Sequence, residues 1–138
     1  MTDPRKLARE LLPAWQHRLR LDDWFIRISN CKPADKDARS QVDTHPTVRQ
    51  ASIQLRADTP PGAVERQLVH ELLHIRFALV RTAYANTLEH TPAAFDKPNG
   101  VLWDMGFEAA VEALCDALGL PARLSWCDGK EFNDAFGE

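Results

Sequence analysis

Two histidines and a glutamate near the middle of the chain have the spacing of a metal site. They form the segment His70-Glu71-Leu72-Leu73-His74, in which the histidines are four residues apart. Side chains four residues apart lie on one face of an α-helix, so both imidazoles could bind one zinc ion at roughly 2.0–2.1 Å. Glu71 is one position beyond His70 and could accept a proton from water on the open side of the ion. The pattern predicts a zinc site with Glu71 as its general base.

The residues around this segment predict that its helix is buried. Apolar side chains flank both histidines, namely Leu68, Leu72, Leu73 and Ile75. Two histidines and a glutamate on a buried helix cost free energy unless hydrogen bonds or a metal satisfy them. A core helix with two hydrogen-bonded histidines is the alternative interpretation, and the complete pattern favours the metal.

A third ligand is expected from a separate helix, because a catalytic zinc ion usually has three protein ligands and one open position. The helix predicted over 104–118 carries Glu108, Glu112 and Asp116 at intervals of four residues. Such a stripe is often a solvated surface. Here, however, Phe107 and Val111 make the start of the helix apolar, so a carboxylate at this point is expected to have a partner.

His70-Glu71-x-x-His74 followed by Glu108-x-x-x-Glu112 resembles the pattern of gluzincin zinc peptidases. Over residues 15–118 the chain is also similar to small phage-type and ImmA/IrrE-like metallopeptidases. The resemblance implies a zinc-dependent enzyme with one Zn²⁺ per chain that hydrolyses peptide bonds of a protein or peptide substrate. It implies that Glu108 is the third ligand and that Glu112 supports a zinc-binding histidine. Position 112 is often Asn in the ImmA/IrrE-like pattern, so Glu112 is a departure from it.

Several assignments stay open at this point. The glutamate pair could shift by one turn to Glu112 and Asp116, and His90 could supply a ligand from a loop. Arg81, Tyr84 and His90 are the candidates for stabilising a developing oxyanion. A zincin-like domain that binds metal and a partner protein without turnover is the alternative function.

The elements that position these residues are expected to form an α+β, zincin-like single domain over residues 1–121. A helix begins at Asp3-Pro4 and is predicted to kink or split at Pro13. A small, mostly antiparallel sheet follows, with strands over 24–28, 40–43 and 51–55. The strand over 51–55 is expected at the cleft edge, where it could pair with an extended peptide, as the resemblance implies.

The second half of the predicted domain contains the two helices of the site. The motif helix is expected from about residue 62 to the low 80s, with Asp58 or Thr59 as its cap. The helix over 104–118 is expected to end at Gly119 and Pro121. The tail, 122–138, is expected either to pack over the domain or to be disordered.

Composition narrows the class of protein. A net charge of −3 and a pI near 5.9 argue against a general nucleic-acid or membrane-surface binder. The basic residues near the N-terminus, such as Arg5 and Arg9, are explained equally well by a solvated helix face. Three cysteines, Cys31, Cys115 and Cys127, lack the spacing of a zinc site and predict reduced thiols in a cytoplasmic protein, with Cys115 in the core. No apolar run suggests a signal peptide or a membrane span.

Overall fold

The structure, a computed structural model, describes residues 3–88 and 106–120, with the backbone alone for 84–88. Within these two stretches the chain forms four helices and one mixed three-stranded sheet, which confirms the predicted α+β class. The elements in chain order are α1 (Pro4–Arg18), β1 (Phe25–Ile28), β2 (Ser40–His45), β3 (Gln50–Leu55), α2 (Pro61–Arg76), α3 (Ala78–Leu88) and α4 (106–117). The zincin-like arrangement stays a prediction, and the tail over 122–138 lies outside the described residues.

Helix α1 begins as the sequence predicts but does not break at its internal proline. The Asp3 carboxylate accepts a hydrogen bond from the backbone N–H of Arg5 at 3.0 Å and caps the helix. Pro13 lies inside a continuous helix, so the predicted split is wrong. Ala8 and Trp15 are buried on either side of Pro13, and this packing outweighs the backbone hydrogen bond that proline cannot donate.

Two arginines of α1 hold the carboxyl ends of two strands. Arg5 donates to the carbonyl of Leu55 at 3.0 and 3.2 Å, and Arg9 donates to the carbonyl of Ile28 at 3.0 Å. These two basic side chains are therefore part of the helix–sheet contact, and they are not merely a solvated face.

The sheet has the order β1-β3-β2, with β3 in the centre. The chain reverses twice between β1 and β3, so β3 runs parallel to β1 and antiparallel to β2. The expectation of a mostly antiparallel sheet is wrong, since one strand pair is of each kind. The expected pairing of the strand over 51–55 with a peptide is also wrong, because both edges of β3 are already paired with other strands.

One face of the sheet and most of α2 build the core. Alternate residues of the strands are buried on this face, as period-two patterning requires: Ile26, Ile28, Ala51, Ile53 and Leu55. Helix α2 covers them with the fully buried side chains Val64, Leu68, Val69 and Leu72. The helix that carries the histidines is thus fixed by the core, as its apolar flanks predict.

Both ends of α2 differ from the prediction. Its N-cap is Pro60, without a side-chain hydrogen bond, and Pro61 occupies the first turn. Neither predicted cap acts: the Thr59 hydroxyl donates to the carbonyl of Arg56 at 2.6 Å. The helix also ends at Arg76 and does not continue to the low 80s, because Phe77 leaves the helical region at φ −103° and ψ 11° before α3 begins.

Helix α4 packs on the domain through few residues. Val111 and Cys115 are buried, which confirms the predicted core position of Cys115. The chain leaves the helix at Gly119, whose φ of +76° favours glycine and whose N–H donates to the carbonyl of Asp116 at 3.0 Å. Among the described residues, no helix has both the length and the apolar composition needed to cross a membrane.

Candidate metal centre

Helix α2 presents both histidines on one face toward α4. His70 and His74 are mostly buried, with 14% and 11% of their side chains exposed. Their ring centroids are 4.9 Å apart, and the two Nε2 atoms are separated by 3.2 Å. The four-residue spacing therefore brings the two nitrogens together as the sequence predicts. The ring of Phe107, from α4, packs against the ring of His74 at a centroid distance of 5.2 Å.

Glu108 completes the group from the first turn of α4. One carboxylate oxygen lies 3.3 Å from His70 Nε2, and the other lies 3.0 Å from His74 Nε2. Ligand atoms at the corners of a tetrahedron around zinc are about 3.3 Å apart when each bond is about 2.0 Å. The two histidine nitrogens, 3.2 Å apart, fit that spacing, and each of them lies within 3.3 Å of one of the two Glu108 oxygens. The group of His70, His74 and Glu108 could therefore hold a metal ion.

The chemistry of the three groups also fits a cation. His70 Nδ1 lies 2.8 Å from a carboxylate oxygen of Glu112, so this nitrogen carries a proton and donates it to that oxygen. In the neutral imidazole, Nε2 then keeps a lone pair directed at His74 and Glu108. A proton on His74 Nε2 can lie between the three groups, and a metal ion that replaces this proton can bind all three.

These contacts lower the pKa values of the Glu108 and Glu112 carboxyl groups. The contacts with His70 and then with His74 hold the pKa of Glu108 well below its usual range. Burial alone would raise the pKa of Glu112, but hydrogen bonding to Arg66 and the charges around it lower it. Both glutamates are therefore ionised at neutral pH, as a ligand and its supporting carboxylate would need to be.

Glu71, the predicted general base, lies in the wall of the adjoining cleft. It is 4% exposed, and burial of its carboxyl raises its pKa above the ordinary value. The Ser40 hydroxyl lies 2.9 Å from a carboxylate oxygen of Glu71 and 2.9 Å from the side-chain oxygen of Gln67. A hydroxyl has one proton to donate, so with Glu71 ionised it donates to Glu71, and the Gln67 amide turns to donate to Ser40.

A cleft opens onto these groups. Its volume is about 460 Å³, and His70, Glu71 and Glu108 line it together with Ser40 at the start of β2. A second cavity of about 390 Å³ lies on the other side of the histidine pair and is lined by His74 and Thr44, among others. The candidate centre is thus open on two sides along β2.

The other residues that the sequence offered as ligands or oxyanion stabilisers do not join the group of His70, His74 and Glu108 in the part of the chain that the structure describes. Arg81 lines the second cavity, with its guanidinium 6.0 Å from the centre of the Phe107 ring. The side chain of Tyr84 and all of His90 lie outside the described residues. Asp116 does not join the metal group, because its carboxylate pairs with Arg66 at 2.9 Å. The arrangement therefore places Glu108, and not a pair shifted by one turn, with the histidines.

Three polar residues of the site were not predicted from the sequence. Ser40 contacts Glu71, and Gln67 contacts Ser40. Arg66 is buried against Glu112. A signal for Arg66 was present, because it lies four residues before His70 on an apolar helix and therefore on the same face. Ser40 had no such signal, since its contact depends on how the sheet meets α2.

Comparisons with protein-family models, with curated proteins and with solved structures find no significant match for this chain. The resemblance to gluzincins therefore stays a prediction that rests on the residues themselves.

Proposed function

We propose that this protein is a zinc-dependent metallopeptidase that hydrolyses peptide bonds of a protein or peptide substrate. The observation that carries the proposal is the grouping of His70, His74 and Glu108 next to a buried carboxylate, Glu71, which shares a cleft with His70 and Glu108. A structural zinc site usually has four protein ligands, and it does not need a base at its edge. Three ligands with an adjoining base are what metal-assisted hydrolysis requires.

His70, His74 and Glu108 would hold the ion, which would polarise the peptide carbonyl and acidify a water molecule. Glu71 acts as the general base: it takes a proton from the attacking water and delivers it to the leaving amine. Burial suits Glu71 to both steps, because a raised pKa makes the carboxylate a stronger base and keeps its protonated form available for the leaving amine. Ser40 orients the Glu71 carboxylate by its hydrogen bond.

An extended substrate would lie along β2 in this proposal. Within the described residues β2 pairs with a strand on one side only, and its residues Ser40 and Thr44 line the two cavities that flank the histidines. Backbone hydrogen bonds to such an edge hold a peptide extended. Arg81, in the second cavity, is the oxyanion-stabilising candidate whose position the described residues support.

The test combines metal content and hydrolysis. Elemental analysis of the untagged wild type is expected to find one zinc per chain, and Glu108→Ala is expected to lose it or bind it more weakly. Glu71→Gln should keep the zinc and lose all hydrolysis of a peptide library, read by mass spectrometry. Hydrolysis that survives in Glu71→Gln would refute the assigned base. Zinc without hydrolysis in the wild type would favour a metal-binding interaction module, and no zinc after reconstitution would overturn the proposal.

A further inference from the structure

Arg66 is a buried cation directly beside the candidate metal centre. It lies on α2, one helical turn before His70, and its side chain is only 4% exposed. Its guanidinium donates to the Glu112 carboxylate at 2.5 Å and to the Asp116 carboxylate at 2.9 Å. It also reaches the carbonyl of Leu120 at 3.3 Å. A buried charge is costly unless it is paired and hydrogen-bonded, and here both carboxylate partners come from α4.

The Glu112 carboxylate is shared between Arg66 and His70. One oxygen accepts from Arg66, and the other accepts from His70 Nδ1 at 2.8 Å. A carboxylate held at one oxygen by a planar guanidinium has little freedom to rotate. The orientation of its second oxygen, and hence of the His70 ring, therefore depends on Arg66.

We infer that Arg66 is a positioning residue of the metal centre, which fixes Glu112 so that His70 presents its Nε2 lone pair toward His74 and Glu108. Arg66 touches neither a ligand atom of the metal group nor the cleft in the described contacts, so it acts through Glu112. The inference rests on the proposed zinc site. It adds a residue that the spacing of the ligands does not identify.

Arginine suits this role better than lysine. The guanidinium donates through two nitrogens in a fixed plane, and it thereby reaches Glu112 and Asp116 at once. A lysine ammonium carries the same charge but has no such plane, so it leaves the Glu112 carboxylate free to turn. Because loss of a residue that orients a metal ligand typically weakens metal binding about 10- to 100-fold, Arg66→Lys is expected to weaken zinc binding about 10-fold.

The experiment is a double-mutant cycle of Arg66→Lys and Glu112→Gln, with the zinc Kd measured by competition with a chromophoric chelator. If Arg66 acts through Glu112, the double variant binds zinc no more weakly than Glu112→Gln alone. The visible spectrum of the Co²⁺-loaded protein is a second readout. It is expected to change in Arg66→Lys, because the orientation of His70 at the metal changes, whereas a purely structural anchor would leave it unchanged.

Asp116→Asn is the matched control, because it removes the other carboxylate partner of Arg66 and leaves Glu112 in place. Its zinc Kd is expected to stay within about two-fold of the wild type. If Arg66→Lys does not fold, as judged by circular dichroism, Arg66→Gln replaces it in the cycle, since its amide can still donate to Glu112.

Three results would overturn the inference while leaving the zinc site intact. They are an unchanged zinc Kd in the folded Arg66 variant, losses that add in the double variant, and an unchanged Co²⁺ spectrum. Failure of the proposed function is distinguishable, because in that case the wild type itself would bind no zinc.

Discussion

The two helices that carry the candidate ligands are held by the protein in different ways. Helix α2 is buried along most of its length, with Leu68 and Leu72 inaccessible to solvent. Helix α4 is largely exposed, and Val111 and Cys115 are its fully buried side chains. Two ligands therefore belong to the core, whereas the third belongs to an element docked at its margin.

This difference separates the stability of the fold from the assembly of the metal group. The histidines keep their spacing as long as α2 is folded, because both are on one helix. Glu108 reaches them only while α4 is docked, and 53% of its side chain is exposed. A metal ion would connect the two helices directly, so its binding is expected to be linked to the docking of α4.

The largest difference between the helices is expected from matched leucine substitutions. Leu72→Ala leaves a cavity beneath α2 and should lower the free energy of unfolding by about 2–5 kcal/mol. Leu114 on α4 is 38% exposed, so Leu114→Ala should cost less than about 1 kcal/mol. Urea denaturation of both variants measures the contrast. Equal losses would contradict the assignment of α4 to the margin.

Zinc binding should make α4 open less readily and so reduce the difference in stability between α4 and α2, which amide hydrogen exchange can measure. In metal-free protein, the amides of α4 are expected to exchange faster than those of α2, because α4 can open alone. Free zinc at 100 times its Kd stabilises by about 2.7 kcal/mol and should slow exchange in α4 about 100-fold. In Glu108→Ala, zinc should no longer slow amide exchange in α4. Equal exchange of both helices without metal would argue that they open as one unit.

A pH dependence is expected from the buried thiol of α4. Burial raises the pKa of Cys115 from 9.0 to about 11, so the folded state keeps a proton that the unfolded chain releases. Stability from this group is complete below pH 9 and is lost as pH rises through the window from 9 to 11. Between pH 8 and 10 the wild type should lose about 1.4 kcal/mol more than Cys115→Ala in urea denaturation. Parallel losses would mean that Cys115 is accessible to water in the folded state.

The smallest effect is expected from the ion pair between Asp116 of α4 and Arg66 of α2. Asp116 is 65% exposed, so Asp116→Asn should increase the opening of α4 by at most about five-fold. The rate of Cys115 labelling by a thiol reagent, with Cys31 and Cys127 replaced by serine, measures this opening. Asp58→Asn removes a carboxylate of similar exposure, which pairs with Arg56 on another part of the surface, and should leave the rate unchanged. A rate that rises equally in both variants would point to a general loosening.

Much of the site could be predicted from the sequence because its rules are local. The four-residue spacing fixes which side chains share a helix face, so His70 and His74 could be paired, and Glu108, Glu112 and Asp116 grouped, before any fold was known. The choice of Glu108 among these three acidic residues came from the resemblance to gluzincins, together with the assumption that the two helices pack side by side. Structure and prediction agree on which glutamate lies with the histidines.

The features that the sequence did not predict depend on contacts between distant segments. Pro13 disfavours a continuous helix locally, and packing of α1 outweighs it. Phe77 is apolar and gives no local signal for a helix end, yet α2 stops there. Ser40 reaches Glu71 only because β2 lies beside α2, 31 residues earlier in the chain. Such contacts cannot be read from spacing.

Ser40 is paired with Leu55 in the sheet, so the contact between Ser40 and Glu71 depends on the register of β2 against β3. Because side chains alternate between the two faces of a strand, a slip of β2 by one residue would turn Ser40 away and offer Arg39 or Gln41 to the helix instead. The hairpin turn over 46–49, where Arg49 adopts a left-handed φ of 52°, fixes this alignment. An insertion or deletion in that turn would therefore remove the hydroxyl from the proposed general base, Glu71, without altering any residue of the site.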